Sequence, residues 1–458
     1  MNNLITTLKN IWKIEELRNR ILFTLGMLFV YRFGSYVVLP GVVPDILEAS
    51  VASGQNDLLG LINTFAGGSF NRAAVFALGI MPYITASIII QLLGFAVPYF
   101  QRLQQKEGES GRKKITQITR ILTLAITLVQ GGGYLTYITQ LGAVDPSLPA
   151  GIFWLSNIII LSAGTIFAMW LGERITDRGI GNGISLLITV GIIATLPGAF
   201  LFELTDKING GGLLVFVAEM AILFAIFLVT VLLVQGIRRI PIQFAKRAVG
   251  RTGSRMPTPG VRDYLPVKVI AAGVMPIIFA QALMFLPAMV GQYAVGDVTD
   301  PSLLPDWLVA LQNPFSVASS IITFLLVFVF TYIYTALIVN PTEHADYLKR
   351  QNAFIPGVKP GKPTADFIDS VTTRITLPGA LALSLIAILP AFAAGAGVSQ
   401  AFAIFFGGTS LLILVAVVLD TLQQIEGHLL MRRYDGLVKS GRIQGRSSGR
   451  VQGIGAGM

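Results

Sequence analysis

The chain has 458 residues, of which 53% are hydrophobic and only 13% charged, with a mean hydropathy of +0.70. This composition excludes an ordinary soluble domain and is typical of membrane proteins. No cysteine is present, which excludes disulfides, thiol nucleophiles and cysteine-ligated metals. The two histidines, His344 and His428, are far apart in sequence and do not indicate a metal site.

The N-terminal segment, residues 1–20, carries Leu4, Leu8, Ile11 and Ile14 at helical spacing, with charges between them. No cleavage site of a secretory signal follows it, so we expect it to precede a first membrane span. Ten apolar runs are long enough, at about 20 residues each, to cross a bilayer as helices. The predicted spans 1 to 10 are residues 21–39, 75–97, 118–139, 152–172, 182–201, 212–235, 267–290, 315–339, 375–393 and 401–420.

A shorter apolar segment, residues 58–70, lies between spans 1 and 2. It is interrupted by Gly67 and Gly68 and is followed by Arg72. Irregular backbone and charge at membrane depth are tolerated only against protein or a water-filled cavity. We therefore expect 58–70 to be a re-entrant half-helix that enters a cavity from outside. A loop lying on the external surface is the alternative.

Orientation follows from the basic residues. If ten spans alternate, 31 of the 34 lysines and arginines lie on one side, in the N-terminal segment, the loops after even-numbered spans and the tail. Basic residues mark the cytoplasmic side. The sequence therefore predicts that both termini are cytoplasmic, and the net charge of +10 reports orientation more than nucleic-acid binding.

A short motif is repeated: GIMP at 79–82 recurs as GVMP at 273–276, in spans 2 and 7. These spans occupy equivalent places in two halves of five spans, residues 21–201 and 202–420. Because five is odd, the second half enters the membrane upside down. Inverted repeats place a pathway at the interface between the halves.

Three function classes compete for that pathway. Coupled transporters carry ionisable groups near the midplane, whereas here Glu219 and Asp420 lie near helix ends and Arg32 in the outer part of span 1. No rings of charge typical of ion filters are evident, nor a nucleophile–base set or metal site. The stretches 108–114 and 179–183 lack the spacing of phosphate- or dinucleotide-binding loops. We expect a channel with an apolar lining rather than an enzyme, with an inverted-repeat transporter of a small solute as the alternative.

Two long loops on the predicted cytoplasmic side, 237–268 and 340–374, are rich in basic residues. The first carries eight basic residues and one acid, with Ile, Phe, Val and Tyr between them, which favours an ordered projecting hairpin. Such a surface suits a large anionic docking partner. A solvated loop held at lipid headgroups is the alternative. The basic tail, 421–458, is expected to be partly disordered.

Four stretches carry a family resemblance: FALGIMPYITASIIIQLL at 76–93, KEGESGRKKITQITR at 106–120, MWLGERITDRGIGNGISLLI at 169–188 and FGGTSLLILVAVVLD at 406–420. In this order and placement the sequence resembles the SecY family, the central channel subunits of the bacterial Sec translocase, over almost its whole length. The resemblance implies a pore between two five-helix halves that passes unfolded secretory polypeptides. It also implies sideways opening between spans 2 and 7, which releases apolar segments into lipid. It implies no cofactor and no metal.

The resemblance also implies a constriction of isoleucines, Ile80, Ile84, Ile184, Ile188, Ile278 and Ile413. A plug is implied at about 58–72, with Leu61, Ile62, Phe65, Gly67, Gly68 and Arg72. Interhelical hydrogen bonds, worth ~1 kcal/mol each in membranes, would close the lateral gate reversibly. The candidate gate residues are Thr85, Ser87, Gln91, Asn182 and Gln281. Ile88–Ile90 is expected to meet lipid and packing neighbours.

The family further implies docking of a SecA-type motor ATPase or a ribosome on the basic loops. The candidate docking residues are Arg238, Arg239, Lys246, Arg247, Arg251, Arg255 and Lys359. At the position of Lys359 the family usually has arginine, so bidentate geometry is lost while charge is kept. SecE- and SecG-type membrane subunits, signal peptides, nascent chains and membrane lipids are the other implied partners. The implied location is the bacterial cytoplasmic membrane.

Overall fold

The structure is a computed structural model that describes residues 12, 14–44, 46–47, 63–105, 108–210, 212–244, 262–284 and 313–439. Ten helices correspond one for one to the predicted spans, and the ten-span helical fold is confirmed. The first half contains α1 Glu15–Gly34, α2 Met81–Ala96, α3 Gly108–Gln140, α4 Ala150–Arg178 and α5 Gly183–Asn209. The second contains α6 Leu213–Gln235, α7 Met275–Met284, α8 Val317–Ile338, α9 Lys362–Gly395 and α10 Gly408–Lys439.

Seven of the described helices, α3 to α6 and α8 to α10, are long and apolar enough to cross a membrane. Several ends differ from the predicted spans. Helix α3 begins ten residues before the predicted 118, α9 begins at Lys362 instead of 375, and α10 continues to Lys439 instead of ending at 420. Hydropathy marks the part of a helix that meets lipid, whereas good helix formers such as Lys, Arg, Glu and Gln extend it into water. Shorter helices are Pro98–Gln105, Pro341–Arg350 and Gln400–Ala403.

Helices α2 and α7 begin in the same way. Gly79 and Gly273 have left-handed φ angles of +53° and +62°, and each helix starts two residues later at the methionine of the repeated motif. Pro82 therefore lies in the first helical turn, where a missing N–H costs nothing. Residues 75–80 of predicted span 2 form turns, so the proline begins a helix instead of kinking one. The repeated sequence is a repeated structure.

Each half also joins two segments between its first and second helices by antiparallel pairing, through a single bridge between Val38 and Ala74 in the first half and through a pair of strands in the second. In the first half, Leu39 N donates to Ala73 O and Val75 N to Val37 O, both at 2.8 Å. In the second half, strand β1 Ile237–Phe244 pairs antiparallel with β2 Arg262–Lys268. The loop enclosed by the first pair includes the predicted plug, and the loop enclosed by the second is the large basic loop. The two loops are equivalent elements of an inverted repeat.

A third strand connects the two basic loops. Strand β3, Ala353–Phe354, pairs antiparallel with the far end of β1, so the sheet order is β2-β1-β3. The hairpin expected in 237–268 is present, and the loop 340–374 joins it. The sheet packs its inner face on an apolar core formed by Ile240, Ile242, Leu348, Ala353, Ile355 and Ile368. The two loops are therefore one folded unit.

Replacing Gly79 or Gly273 by alanine should destabilise the protein. A left-handed φ costs an L-residue about 1–2 kcal/mol. Crowding is not the cause, because a Cβ at Gly79 would lie 3.6 Å from its nearest neighbour, Ala66 Cβ, and one at Gly273 would meet nothing within 4 Å. Thermal unfolding of the detergent-solubilised protein measures the loss.

The matched control is Gly26→Ala in α1, where a Cβ also meets nothing within 4 Å and φ is helical. Alanine there should stabilise by about 1 kcal/mol, since glycine is a poor helix former. Equal unfolding temperatures for Gly26→Ala, Gly79→Ala and Gly273→Ala would contradict a backbone role for the motif glycines.

Candidate functional site

The predicted constriction isoleucines come together between the two halves. Buried Ile188 of α5 and Ile413 of α10 belong to one apolar cluster, with Ile84, Ile184 and Ile278 packed against it. Ile80 belongs to an adjoining cluster that shares Ile84 and Ile184. Ile80 at the start of α2 and isoleucines of α2, α5, α7 and α10 thus lie in two adjoining apolar clusters.

The plug segment contacts these isoleucines directly. Phe65 is 8% exposed and belongs to the same cluster as Ile188 and Ile413. Phe65 and Ala66 also line a void of about 10 Å³ with Ile80, Ile84 and Ile188. That volume is about the space of one water molecule. At this level the described side chains fill the space between α2 and α5.

The plug is also seated through backbone contacts. A Cβ at Gly191 of α5 would lie 2.3 Å from the carbonyl oxygen of Phe65 and 3.1 Å from the amide nitrogen of Gly67. Gly67 in turn has a φ of +67°, and a Cβ there would meet the Cα of Gly191 at 3.0 Å. Backbone touches backbone here, which requires glycine. The sequence indicated Gly67 but not its partner Gly191.

Two arginines flank this seat. Arg32 of α1 donates from Nη1 to the carbonyl oxygen of Gly67 at 2.5 Å and from Nη2 to the hydroxyl of Tyr36 at 3.0 Å. The guanidinium groups of Arg32 and Arg72 lie 4.9 and 4.5 Å from the centre of the Tyr36 ring. Cation–π contacts of this kind are worth roughly 0.5–1 kcal/mol at exposed sites. The outer charges are therefore held against protein, as expected for membrane depth.

The described part of the plug, residues 63–72, contains the end of a helix. Residues 63–65 are helical, and residues 66–72 form turns. Gly67 and Gly68, with φ of +67° and +86°, end the helix. Tyr134 of α3 donates to the carbonyl oxygen of Phe70 at 2.6 Å and holds the turns in place. The predicted plug residues Leu61 and Ile62 lie outside the described residues.

Helix α2 meets the second half through an apolar surface. Buried Ile88 packs with Phe279 and Ala282 of α7 and with Tyr334 of α8, whose ring lies 4.8 Å edge-on from that of Phe279. Ile88 and Ile90 are 8% and 2% exposed. The expectation that the Ile88–Ile90 cluster meets lipid is therefore wrong for these two residues. Helix α2 is too enclosed by neighbouring helices to leave them outside.

One polar connection crosses from α2 to the second half. Gln91 accepts a hydrogen bond from the hydroxyl of Tyr334 and donates through Nε2 to Ser87 Oγ at 3.0 Å. Sequence reasoning selected Gln91 and Ser87 but not Tyr334. A tyrosine in an apolar span predicts a hydrogen bond to a neighbouring helix, because its hydroxyl needs a partner when it is buried.

The other candidate gate residues bond elsewhere. Thr85 donates to the carbonyl of Met81 on its own helix, and Asn182 caps the first turn of α5. Gln281 of α7 donates to Thr409 Oγ1 of α10 at 2.7 Å, within the second half. Of the five candidates, only Gln91 contacts the opposite half by a side-chain hydrogen bond among the described residues.

The candidate docking residues that are described lie exposed on the folded sheet unit. Arg238 and Arg239 are on β1, and Lys359 follows β3. Further exposed bases of the unit are Arg262, Lys268, Lys349, Arg350 and Lys362, interspersed with exposed acids. Lys246, Arg247, Arg251 and Arg255 lie outside the described residues.

A buried ionic cluster joins the halves at the α5–α6 connection. Lys207 Nζ lies 3.5 Å from Glu203 Oε1 and 3.2 Å from Glu219 Oε1, and donates to the carbonyl of Gly397 at 2.7 Å. Glu203 and Glu219 are 0% and 6% exposed. The sequence analysis placed Glu219 near a helix end but did not predict its ion pair with Lys207. The four-residue spacing of Glu203 and Lys207 was the feature of the sequence that indicated an ion pair. Breaking such a pair leaves a buried charge and is costly.

No group of three His, Asp or Glu side chains that could hold a metal ion occurs within the described residues.

Comparison with known proteins gives consistent matches. The SecY family model matches residues 74–422. The chain is 41% identical over 449 residues to "Protein translocase subunit SecY" of Streptomyces galbus, covering 95% of this chain and 100% of the relative. It is 38% identical over 469 residues to the protein of that name from Chlamydia trachomatis, with 96% and 100% covered.

Solved structures share the fold. A structure of a protein-conducting channel has a TM-score of 0.63 at 17% identity and covers 89% of this chain and 91% of that chain. A second solved structure is of a SecY protein whose plug domain stabilises the closed state of the channel and maintains a membrane seal. It has a TM-score of 0.61 at 19% identity, with the same coverage. Sec61 in the canine ribosome-channel complex has a TM-score of 0.59 at 17% identity, again with 89% and 91% covered.

Adding a methyl group at Gly191 should displace the plug. The chain contains no cysteine, so Ala66→Cys introduces a single thiol at a position that is 1% exposed. Overpacking costs about 1–3 kcal/mol. With Gly191→Ala, the reaction of this thiol with a water-soluble maleimide should therefore accelerate about tenfold or more.

Gly198→Ala, on the same helix with open space around it, is the control and should leave the labelling rate unchanged. Slow labelling in both variants would show that the plug does not depend on the backbone contact at Gly191.

Proposed function

Because this chain belongs to the SecY family, we propose that it is the central subunit of a protein-conducting channel, which passes unfolded secretory polypeptides across a membrane. The observation that carries the proposal is the convergence of isoleucines from α2, α5, α7 and α10 against Phe65 of the plug. A transporter of small solutes is not favoured. The buried charges found, Glu203, Lys207 and Glu219, lie near the ends of α5 and α6 and are not part of the isoleucine cluster.

The isoleucine ring acts as a seal that binds no particular sequence. Branched aliphatic side chains make non-directional contacts, so they fit varied peptide segments without a specific partner. When no chain is present, a narrow apolar constriction resists wetting and the passage of ions. The chain itself performs no chemistry in this proposal, and the driving energy comes from a partner.

The plug completes the resting seal below the ring. To leave its place it must separate the backbone contact at Gly191, break the hydrogen bond between Arg32 and Gly67, and remove Phe65 from the isoleucines. Each interaction is of modest strength, so an inserting polypeptide that occupies the same space can replace them.

The lateral gate opens between α2 on one side and α7 with α8 on the other. The two surfaces that separate are apolar around Ile88. Lipid tails are equally apolar, so exposing these surfaces to lipid costs little free energy. The hydrogen bond between Gln91 and Tyr334 must break for the gate to open, and such a bond stabilises helix contacts in membranes by ~1 kcal/mol. Signal peptides and other apolar segments leave the channel by this route.

The sheet unit is the docking surface for a SecA-type motor ATPase or a ribosome. Its exposed bases, including Arg238, Arg239 and Lys359, and the adjoining basic loop support contacts with an acidic or phosphate-rich partner. A fold relative, Sec61, was solved in a ribosome complex. The distribution of basic residues supports cytoplasmic termini and loops, in the bacterial cytoplasmic membrane. SecE- and SecG-type subunits and membrane lipids cover the exposed apolar helix faces.

Reconstitution tests the function. Vesicles with this chain, SecE- and SecG-type subunits and a SecA-type motor should import a signal-bearing precursor when ATP is added. In the cysteine-free chain, cysteines placed at Ile80, Ile184, Ile278 or Ile413 should cross-link to a stalled precursor, because the chain passes the ring.

The controls are Leu214→Cys and Leu232→Cys, whose native side chains are 85% and 71% exposed on α6. They should not cross-link to the precursor. Absence of import together with solute uptake driven by an ion gradient would instead support a transporter.

Removing the Arg32 side chain should raise the resting ion conductance. Arg32→Ala loses the bond to Gly67 and the contacts with Tyr36, and the plug is then held less tightly. Planar-bilayer recordings without substrate measure the leak, with deletion of residues 60–70 as the upper reference.

Arg20→Ala is the matched control, because Arg20 forms only an exposed pair with Glu16 elsewhere on α1. Such pairs contribute little. A leak that is unchanged in Arg32→Ala, while the deletion leaks strongly, would remove Arg32 from the seal and leave the plug itself in place.

A further inference from the structure

A second cavity lies within the second half, between α7, α8, α9 and α10, about one helical turn from Ile278 and Ile413. It measures about 60 Å³, several times the 10–15 Å³ that one water molecule needs. Among the described residues, no acidic or basic side chain lines it. Its polar lining consists of Gln281, Ser319, Ser320, Thr323, Thr409 and Ser410.

The N-terminus of α10 opens into this cavity. The first amides of a helix have no acceptor within it, and a capping side chain normally supplies one. The residue before α10 is Gly407, which has no side chain to do so. The amides of Gly408, Thr409 and Ser410 donate to no acceptor among the described residues. Thr409 and Ser410 are only 2% and 1% exposed.

Helix α8 shows the contrast at the same cavity. Its N-cap, Ser316, accepts a hydrogen bond from the amide of Ser319 at 3.1 Å. The start of α8 is thereby satisfied by the protein, whereas the start of α10 is buried with its donors unsatisfied. No described residue satisfies the start of α10, and a ligand bound in the cavity would supply the missing acceptor.

The side chain of Ser410 points to the same conclusion. Most buried hydroxyls in these helices donate to the carbonyl four residues earlier, as Ser384 does to Ala380 at 2.8 Å. Phe406, four residues before Ser410, belongs to a separate 3₁₀ helix, Ile404–Phe406, and Ser410 makes no such bond to it. Its Oγ is buried and has no hydrogen-bond partner among the described residues. It lies in the cavity wall and adds a hydroxyl donor beside the three amides.

The neighbouring polar side chains are consistent with a negatively charged ligand. Thr409 Oγ1 accepts from Gln281 Nε2 at 2.7 Å, which leaves the Thr409 hydroxyl hydrogen for another acceptor. A helix N-terminus carries about half a positive charge, and no carboxylate of the described residues lines the cavity to balance it. We propose that this cavity binds a small inorganic anion of the size of chloride, held by the first amides of α10 and the Ser410 hydroxyl.

Thermal unfolding tests the site, because a ligand that binds only the native state stabilises it as its concentration rises. The purified chain with its membrane partner subunits is compared in sodium chloride and sodium gluconate at equal ionic strength, since gluconate is too large for the cavity. The midpoint should rise by several degrees with chloride and saturate. Equal midpoints in the two salts would mean that water alone satisfies α10, and would overturn the proposal.

Two variants locate the effect. Ser410→Asp places a carboxylate at the helix start, so the chloride dependence should disappear while stability in gluconate rises. Ser410→Ala removes one donor and should shift the half-saturating chloride concentration about tenfold higher, as expected for one hydrogen bond to a charged group. Ser384→Ala, whose hydroxyl bonds within its own helix, is the control and should keep the wild-type dependence. A Ser410→Asp variant as chloride-dependent as wild type would overturn the proposal.

A direct measurement decides the matter should Ser410→Asp fail to fold. Crystals of the wild-type complex grown with bromide in place of chloride should show an anomalous peak at the N-terminus of α10. Absence of a peak at that position, with bromide visible elsewhere, would refute the site.

Discussion

The need of every backbone amide and carbonyl for a hydrogen-bond partner governs where the irregular parts of this chain lie. Lipid offers no partners, so only helices can face it. Residues 66–80, between the helical turn of the plug and α2, are not helical, and Ala73, Ala74 and Ala77 within them are fully buried by protein. This irregular backbone lies among the helices, where a pathway also has to run. The seal and the pathway share one place for the same physical reason.

The two contacts of the plug differ in kind. Phe65 meets isoleucine side chains, which can rearrange around many shapes, whereas Gly191 meets the plug backbone at a fixed distance. In the proposed channel, the first contact tolerates varied polypeptides and the second returns the plug to one position. A channel that must open for varied polypeptides and close each time needs both properties.

Much of this fold follows from sequence because the bilayer imposes local rules. Ten spans could be counted from hydropathy, and the repeated Gly-x-Met-Pro motif indicated two halves. Predicted span 2 begins at residue 75, six residues before α2, because hydropathy does not report φ and so could not show that the helix begins next to Pro82. The partners of Gln91 and Gly67 could not be found locally: Tyr334 is 243 residues from Gln91, and Gly191 faces Gly67 only after α5 has packed on the plug.

The three-stranded sheet has a mechanical consequence. Strand β1 follows α6 directly, β2 leads through a short turn into α7, and β3 belongs to the loop between α8 and α9. A load applied to the sheet is therefore shared among three helix connections and cannot pull on one alone. Since α7 packs against α2, a displacement of the sheet that reached α7 would act directly on the contact between these two helices.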